Sequence, residues 1–294
     1  MVGGAVPLRG SIRWAVNTRA WEPTEQEWLL ASRCISLEDK ERINKFAFKA
    51  DAKASMAGTL MMRKLAHLAT GEPYDKVTFF RDKHGRPAIR DQMLKMDFNI
   101  SHQGNYTVLA GEVDSDLTVG IDVMHFKRKT GRGLQDFFRL MSKTCSNNEW
   151  NSILSHSSDE RRAVTFFRHW CLKESYCKGT GLGVRTDMRF CSFKINTPIL
   201  SADKPTTDTV LELDGVPNST WLFHEWLLDP LHCVSVALST RSNTMTMTNI
   251  QPVPFTTLSW SELIQEAVPL LPPDVDYVQT FMKKADWSRA HETN

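Results

Sequence analysis

The sequence DERRAVTFFRHWCLKESYCKGTGLG, residues 159–183, predicts a long helix around which the rest of the fold can be arranged. We expect this helix to run from about Asp159 to Lys178 and to end at the glycines that follow, because glycine is typical just past a helix end. Side chains four positions apart share a helix face, so Trp170, Glu174 and Lys178 form one stripe. Taken alone, the stripe also fits a surface ion pair. The large apolar Trp170 nevertheless favours a stripe that faces protein or a pocket.

An acidic residue interrupts the apolar segment TVGIDVM, residues 118–124, which predicts a strand. Asp122 has Ile121 and Val123 as neighbours, and a buried carboxylate needs a partner. Two interpretations stay open here, since Asp122 could face solvent or could hold a cation. In the second case Asp122 and Glu174 would supply the two oxygen ligands that Mg²⁺ typically takes from protein.

The segments on either side predict both helices and strands. Alternating apolar residues indicate a strand over residues 11–16, and strong helix formers indicate a long helix from Asp51 to the residue before Gly71. A serine or threonine three residues before an acid predicts further helix starts at Thr24–Glu27, Ser36–Asp39 and Ser146–Glu149. Other strands are predicted at VTFFR, PAI, DFNIS, YTVLAGE, 189–195, 210–213, 220–228 and 233–238. This order of helices, strands, helices and strands indicates the α+β class, with two halves of similar plan.

We expect three parts along the chain. An N-terminal α+β subdomain covers residues 1–115, a C-terminal α+β subdomain covers 116–240, and an extended arm with a short helix covers 241–294. The arm begins in a run rich in Thr, Asn and Pro that has no apolar period. Its helix, capped by Ser259 and Glu262, could dock on the body of the chain or on a partner, and the sequence leaves both open.

Composition excludes several classes of protein. Of the 294 residues, 41% are hydrophobic and 24% charged, which indicates a folded globular chain. A net charge of +2 gives no reason to expect nucleic acid as a partner. Six cysteines without a C-x-x-C pair predict neither a zinc site nor a redox dithiol, and favour reduced thiols in the cytosol. The N-terminus lacks a signal-peptide pattern, and no apolar run approaches the roughly 20 residues of a membrane span.

Two further segments have the groups that bind phosphate. The run Asn99-Ile100-Ser101-His102-Gln103-Gly104 offers a hydroxyl, an imidazole and the N–H groups of a glycine turn. The run Arg81-Asp82-Lys83-His84-Gly85-Arg86, together with Arg42, offers guanidinium groups that bind phosphate oxygens in pairs. Read singly, these segments also fit an ordinary hairpin turn and solvated charge.

Together, and in this order, these segments resemble a phosphopantetheinyl transferase of the large, single-chain type. The matching runs extend over most of residues 14–238 and are DKERINKFAFKADAKASMAGTLMMRKL, KHGRP, FNISHQGNYTVLA, VGIDVM and WCLKESYCKG. The resemblance implies two similar α+β subdomains related by a pseudo-twofold, with coenzyme A in the cleft between them. It also implies Mg²⁺-dependent transfer of 4′-phosphopantetheine from coenzyme A to a serine of a carrier protein, which releases adenosine 3′,5′-bisphosphate.

The resemblance also implies roles for individual residues. Asp122 and Glu174 would hold Mg²⁺, Glu174 would deprotonate the attacking serine, and Lys178 would neutralise the leaving group. The coenzyme would be bound by Arg42, Arg81, Asp82, Lys83, His84, Gly85, Arg86, Asn99, Ile100, Ser101, His102, Asp122, Glu174, Ser175 and Lys178. Many bacterial members have a second acid two residues after the aspartate, where this chain has Met124, a poor Mg²⁺ ligand. We therefore expect Gln103 to be the third ligand or to orient a metal-bound water.

The implied partners are acyl carrier domains of the fatty acid synthase and aminoadipate-reductase types. The basic loop from Lys127 to Arg132 is a candidate docking surface on charge grounds, although a flexible solvated loop fits it as well. We expect a cytosolic monomer. Two other functions stay open: a catalytically silent protein that binds coenzyme A and carrier domains, and a phosphohydrolase that acts on the same pyrophosphate.

Overall fold

The computed structural model describes residues 7–82, 85–89, 94–127, 133–183, 188–242, 247 and 250–286. Within these ranges, no helix combines the length and the apolar character needed to cross a membrane.

The first half of the chain begins with a strand, continues with helices and returns to strands. Its elements are β1 (Gly10–Asn17), α1 (Glu25–Arg33), α2 (Leu37–Asn44), α3 (Lys49–Thr70), β2 (Phe79–Arg81), β3 (Pro87–Ile89), β4 (Met96–Gln103) and β5 (Tyr106–Val113). Side-chain caps at Thr24 and Ser36 begin α1 and α2, and Gly71 ends α3 with a φ of 74°. These caps and the long helix confirm the sequence prediction.

The second half repeats this order. Its elements are β6 (Leu117–His125), α4 (Leu134–Leu140), α5 (Asn147–Leu154), α6 (Asp159–Thr180), β7 (Cys191–Lys194), β8 (Val210–Leu213), β9 (Val216–Asn218), β10 (Trp221–Asp229) and β11 (His232–Thr240). The arm adds β12 (Thr256–Thr257), α7 (Trp260–Ile264) and α8 (Val275–Met282). The short β9 and β12 and the helix α8 were not predicted from the sequence.

Two sheets form the centre of the molecule. One has the strand order β12-β1-β5-β4 and the other β10-β11-β6, and all neighbours are antiparallel except β12 and β1. In each half the first strand pairs with the last, and the last also pairs with the strand that precedes it. The order is β1-β5-β4 in the first half and β6-β11-β10 in the second. This shared connectivity confirms the α+β class. We propose that a pseudo-twofold relates the halves and that they divide as 1–115 and 116–240, because β5 ends at Val113 and β6 begins at Leu117.

The core is layered. Helix α3 packs on one side of the first sheet through Met56, Leu60 and Leu109. The other side of this sheet meets the second sheet through small and β-branched residues such as Val108 and Ile121. Helix α6 covers the far side of the second sheet. The strands β4 and β6 therefore lie together at the centre, each at the edge of its own sheet.

The arm docks on the first half of the chain's own body, one of the two possibilities that the sequence left open. Trp260 stacks on Trp21 with ring centroids 5.0 Å apart, and Phe281 stacks on Trp28 at 3.6 Å. Strand β12 pairs with β1 in parallel. The arm is thus part of the core of the first half.

Candidate active site

The site begins with a close approach of strand β6 to helix α6. A Cβ on Gly120 would lie 2.0 Å from the Ser175 carbonyl oxygen and 2.4 Å from the Gly179 nitrogen. Only glycine fits such a contact between two backbones. The approach places Asp122, two residues further along the same strand face, beside Lys178 of the helix.

Asp122 is the centre of the polar contacts. Its side chain is buried, and its Oδ1 accepts hydrogen bonds from Ser101 Oγ at 2.7 Å and Lys178 Nζ at 2.6 Å. Lys178 also donates to Ser101 Oγ at 2.8 Å. The other carboxylate oxygen, Oδ2, is buried and meets no hydrogen-bond partner among the residues that the structure describes. A buried, unpaired carboxylate oxygen costs free energy unless a ligand satisfies it.

Glu174 lies one helical turn before Lys178 and is buried as well. Burial raises the pKa of Glu174, and the negative charge of Asp122 raises it further, whereas Lys178 and a hydrogen bond from Trp170 lower it. The net direction is upward. Glu174 is therefore a stronger base than an exposed glutamate, as expected for a carboxylate that must accept a proton near neutral pH.

These residues fit a hard divalent cation. The buried carboxylates of Asp122 and Glu174 repel each other, and Oδ2 of Asp122 has no hydrogen-bond partner among the described residues. Mg²⁺ usually takes one or two carboxylates from protein and completes its coordination with phosphate oxygens and water. Across the described part of the chain, no group of three or more His, Cys, Asp or Glu side chains is arranged to hold a metal.

A cleft of about 580 Å³ lies beside Ser101, between α2, α3 and β4. Arg42, Arg81, Ile100 and His102 are among its lining residues. Ser55 and Thr59 of α3 accept hydrogen bonds from the Arg42 guanidinium, which also pairs with Asp39. The lining contains three arginines and three acids, and Asp122, Glu174 and Lys178 are not part of it, so the cleft offers guanidinium groups without a net positive charge.

His102 joins the two parts of the site. Its side chain faces the open cleft on β4, directly after Ser101. Burial lowers the pKa of His102 and the positive charges of Lys178 and Arg42 lower it further, whereas nearby carboxylates, Asp122 among them, raise it; the net direction is downward. His102 therefore interacts electrostatically both with Arg42 of the cleft and with Asp122 and Lys178.

The turn after β2 brings together several of the other predicted residues. Arg81 Nη1 donates to the Gly85 carbonyl, Asp82 Oδ1 accepts from the Arg86 amide, and Gly85 has a φ of 79°. Lys83 and His84, also predicted to bind the coenzyme, lie outside the described residues. So do residues 128–132 of the predicted docking loop.

Four of the predicted residues are used for contacts within the protein. Ser175 has no exposed surface and bonds to Leu172 and Ser235, so its side chain lies away from the cleft. Arg86 bonds to groups on β4, β6 and α6. Asn99 and Gln103 accept hydrogen bonds from backbone amides of β6. Met124 is buried against Cys171 and Cys233, which explains an apolar residue at this position.

A buried ion pair anchors α6, and sequence reasoning missed it. Lys173 Nζ lies 2.8 Å from Glu149 Oε2 and donates to the carbonyls of Met188 and Cys191. Neither charged side chain is exposed. The sequence predicted Glu149 only as a helix cap and left Lys173 unassigned, although Lys173 directly precedes Glu174. The pair fixes the side of the helix opposite the cleft.

A second cavity, of about 640 Å³, lies near Phe126, Arg161 and Leu200. None of the predicted site residues lines it. The carboxylate pair and the cleft that contains Arg42, Arg81 and His102 therefore mark the candidate active site better than cavity size does.

Two family models match most of the chain. Residues 19–114 match the family model described as 4′-phosphopantetheinyl transferase, N-terminal, and residues 118–236 match that of the 4′-phosphopantetheinyl transferase superfamily. The arm after residue 236 lies outside both matches.

Similar proteins extend the match to nearly the whole chain. The L-aminoadipate-semialdehyde dehydrogenase-phosphopantetheinyl transferase of Xenopus laevis is 36% identical over 287 residues, which cover 95% of this chain and 94% of that protein. The protein of the same name from Homo sapiens is 35% identical over 94% of this chain and 92% of its own length. A 4′-phosphopantetheinyl transferase of Bacillus pumilus is 31% identical over 51% of this chain and 59% of its own.

Proposed function

Since the chain belongs to the 4′-phosphopantetheinyl transferase superfamily, we propose that it moves 4′-phosphopantetheine from coenzyme A to a serine of acyl carrier domains, with Mg²⁺ as cofactor. The class of enzyme and the transfer of phosphopantetheine to carrier proteins follow from the family. The donor, the metal and the residues in their roles are our proposal. One observation carries it: the buried Oδ2 of Asp122, which has no partner among the described residues, close enough to the buried Glu174 for their charges to interact.

The reaction breaks one phosphoanhydride bond and forms one phosphate ester bond. The carrier serine oxygen bonds to the phosphorus that holds the pantetheine, and the bond from this phosphorus to the bridging pyrophosphate oxygen breaks. Glu174 accepts the serine proton, and its raised pKa suits this role. The products are the phosphopantetheinyl serine and adenosine 3′,5′-bisphosphate.

Lys178 has the position and the donors to stabilise the leaving group. Two of its contacts go to Asp122 and Ser101, and an ammonium has three N–H donors. The remaining donor can bind a phosphate oxygen as charge builds there. Asp122 thus orients Lys178 as well as offering its free oxygen.

The cleft of about 580 Å³ between α2, α3 and β4 is the proposed site of the coenzyme. Arg42 is held in place by α3 and can bind phosphate oxygens in pairs, while His102 and Arg81 lie on the same walls. We include Lys83, His84 and Gly85 of the adjoining turn in this site, as the resemblance implies.

The metal would be held by Asp122 and Glu174. When bound, Mg²⁺ supplies positive charge that stabilises the pyrophosphate oxygens during transfer. Gln103, predicted as a third ligand, already binds the His125 amide with its amide oxygen at 2.6 Å. A role of Gln103 at the metal therefore requires its second lone pair or a bridging water.

We propose acyl carrier domains of the fatty acid synthase and aminoadipate-reductase types as partners, and the cytosol as the place of reaction. All six cysteines are free and buried, as suits a reducing compartment. We also propose that the enzyme acts as a monomer, because both halves of the site lie in one chain.

Release of adenosine 3′,5′-bisphosphate tests the proposed reaction. The protein is incubated with coenzyme A and Mg²⁺, with an apo carrier domain, with the same domain lacking its serine, and without carrier. We expect release only with the intact apo carrier, and none in the presence of EDTA. Release without carrier would favour a phosphohydrolase. Coenzyme A binding without release across a panel of carriers would favour a silent binding protein.

A further inference from the structure

Strands β4 and β6 run side by side and in the same direction, yet they belong to different sheets. Each is an edge strand, and an edge strand has backbone N–H groups that need partners. The partners for β6 come from side chains of β4.

Three hydrogen bonds of one pattern join the strands. Asp97 Oδ2 accepts from the Val119 amide at 2.8 Å, Asn99 Oδ1 from the Ile121 amide at 3.1 Å, and Gln103 Oε1 from the His125 amide at 2.6 Å. Every bond spans 22 residues. We call these three side chains the polar ladder.

The series changes at the active site. Ser101 occupies the position between Asn99 and Gln103, but its hydroxyl donates to the side chain of Asp122, a span of 21 residues. The ladder thus brackets Ser101, whose hydroxyl donates to Asp122 and accepts from Lys178. It fixes the register in which this contact forms.

Arg86 strengthens the end of the ladder near Asp97. Its Nη2 donates to Asp97 Oδ1 at 3.0 Å, to the Phe98 carbonyl and to the Val119 carbonyl, and its Nη1 donates to the Gly179 carbonyl. This one side chain therefore ties β4 to β6 and to the end of α6. Arg86 therefore links β4 of the first half to β6 and α6 of the second, next to the candidate active site.

We propose that Asp97, Asn99 and Gln103 are positioning residues, which set Asp122 of the second half in register with Ser101 and His102 of the first. The inference rests on the proposed function, since it concerns the geometry of that site. A displacement of about 1 Å in a catalytic site can cost about 100-fold in rate. The ladder acts through Asp122, and none of its members has to touch the substrate.

The polar ladder and a metal-ligand role for Gln103 predict different results. If Gln103 acts only as a ligand, removal of Asp97 or Asn99 leaves metal binding and kcat unchanged. If the ladder positions Asp122, removal of either has the same kind of effect as removal of Gln103.

The test compares Asp97→Leu and Asn99→Leu with Asp97→Asn, which keeps an oxygen acceptor for the Val119 amide. Hydrogen exchange of residues 117–125 measures the ladder, and Mn²⁺ titration followed by electron paramagnetic resonance, with coenzyme A present, measures the metal site. Kinetics with a carrier domain give kcat and KM.

We expect both leucine variants to exchange faster, to bind Mn²⁺ more weakly and to lose about 10- to 100-fold in kcat, with KM for coenzyme A within about twofold. Asp97→Asn should keep wild-type exchange at Val119 and fall between the wild type and Asp97→Leu in Mn²⁺ affinity and kcat, because its amide NH2 then faces Arg86, which donates to Asp97 in the wild type.

Two results would overturn the inference. One is a pair of folded leucine variants with wild-type kcat and Mn²⁺ affinity, even if their melting temperatures fall. The other result applies if neither leucine variant folds. Gln103→Leu, at the half-exposed end of the polar ladder, is then measured instead, and unchanged hydrogen exchange of the His125 amide in that variant would overturn the inference. Hydrogen exchange and Mn²⁺ binding are measured without turnover. A wild-type protein that transfers no phosphopantetheine would therefore refute the proposed function, while the exchange and Mn²⁺ results would still decide whether the polar ladder positions Asp122.

Discussion

At the scale of single residues, the contact at Gly120 determines whether the site can form. Gly120→Ala would drive a Cβ into three backbone atoms of α6, none of which can rotate away. We expect the helix to move, the protein to lose about 3 kcal/mol of stability, and kcat to fall by at least about 100-fold. Urea unfolding and steady-state kinetics measure the two effects.

Gly133→Ala is the matched control for this substitution. Gly133 has an ordinary φ of −57° as the cap of α4, and a Cβ there would meet nothing within 4 Å. The control should be as stable and as active as the wild type. Equal behaviour of the two alanine variants would show that close packing of β6 on α6 does not matter.

A buried histidine predicts how stability depends on pH. Burial and the positive charge of Arg13 lower the pKa of His224 from 6.5 to about 4. The unfolded chain therefore binds a proton between about pH 6.5 and 4 that the folded protein does not. Stability falls as pH falls through this window, by about 2 kcal/mol from this group at pH 5 relative to pH 7.

The histidine is tested by urea unfolding of the wild type and of His224→Gln at pH 7 and pH 5. All other titrating groups are common to both proteins, so the difference between their pH dependences isolates His224. The variant should lose less stability on acidification. The same loss in both proteins would contradict the assignment.

At the scale of elements, helix α6 depends on the ion pair on its buried side. Lys173→Met would leave Glu149 buried with one charge partner fewer, which costs about 3 to 5 kcal/mol. Lys194→Met, at an exposed position on β7, should change stability by less than about 0.5 kcal/mol. Thermal unfolding of both variants checks this, and a Lys173→Met protein as stable as Lys194→Met would refute the anchoring role.

Much of the element order could be predicted from the sequence, because caps and periodicity are local signals. The helix starts at Thr24, Ser36 and Ser146 and the end of α3 at Gly71 needed no tertiary information. Helix α8 was not predicted, although Asp274 caps it, because the segment before it has no apolar periodicity that indicates a helix. The short β9 and β12 exist because of their pairing partners, and pairing cannot be read from one segment.

The candidate site could be predicted only in part, for the same reason. The segment with Asp122 and the helix with Glu174 and Lys178 were found from spacing and resemblance. That Ser175 faces the core, and that Arg86 bridges three elements, depends on contacts between distant segments. The sequence contains one further signal that the prediction did not use. Polar residues at 97, 99, 101 and 103 alternate with apolar residues at 96, 98 and 100, which indicates a strand face that meets hydrogen-bonding groups.

At the scale of the whole molecule, the arm makes the first half depend on the end of the chain. Phe281→Ala would remove the ring that stacks on fully buried Trp28 and should cost about 3 to 5 kcal/mol. Val275→Ala, on the exposed side of the same helix, is the control and should be nearly neutral. Calorimetry would measure both, and equal melting temperatures would show that the docked arm adds nothing to the stability of the first half.

The arm also reaches the proposed coenzyme cleft. Leu270 lines the cleft, its amide donates to the Arg33 carbonyl at 2.6 Å, and Asp274 pairs with Lys40 of the helix that carries Arg42. The proposed site therefore combines three parts of the chain: the arginine and histidine of the first half, the acids and lysine of the second, and the arm that supports the first.

The most direct test of the central claim is intact mass spectrometry of an apo acyl carrier domain incubated with this protein, coenzyme A and Mg²⁺. Glu174→Gln and Asp122→Asn serve as parallel samples. The account predicts a gain of one phosphopantetheine unit with the wild type, and none with either variant while both remain folded. An equal gain with Glu174→Gln, or no gain with a wild type that binds coenzyme A across a panel of carriers, would contradict it.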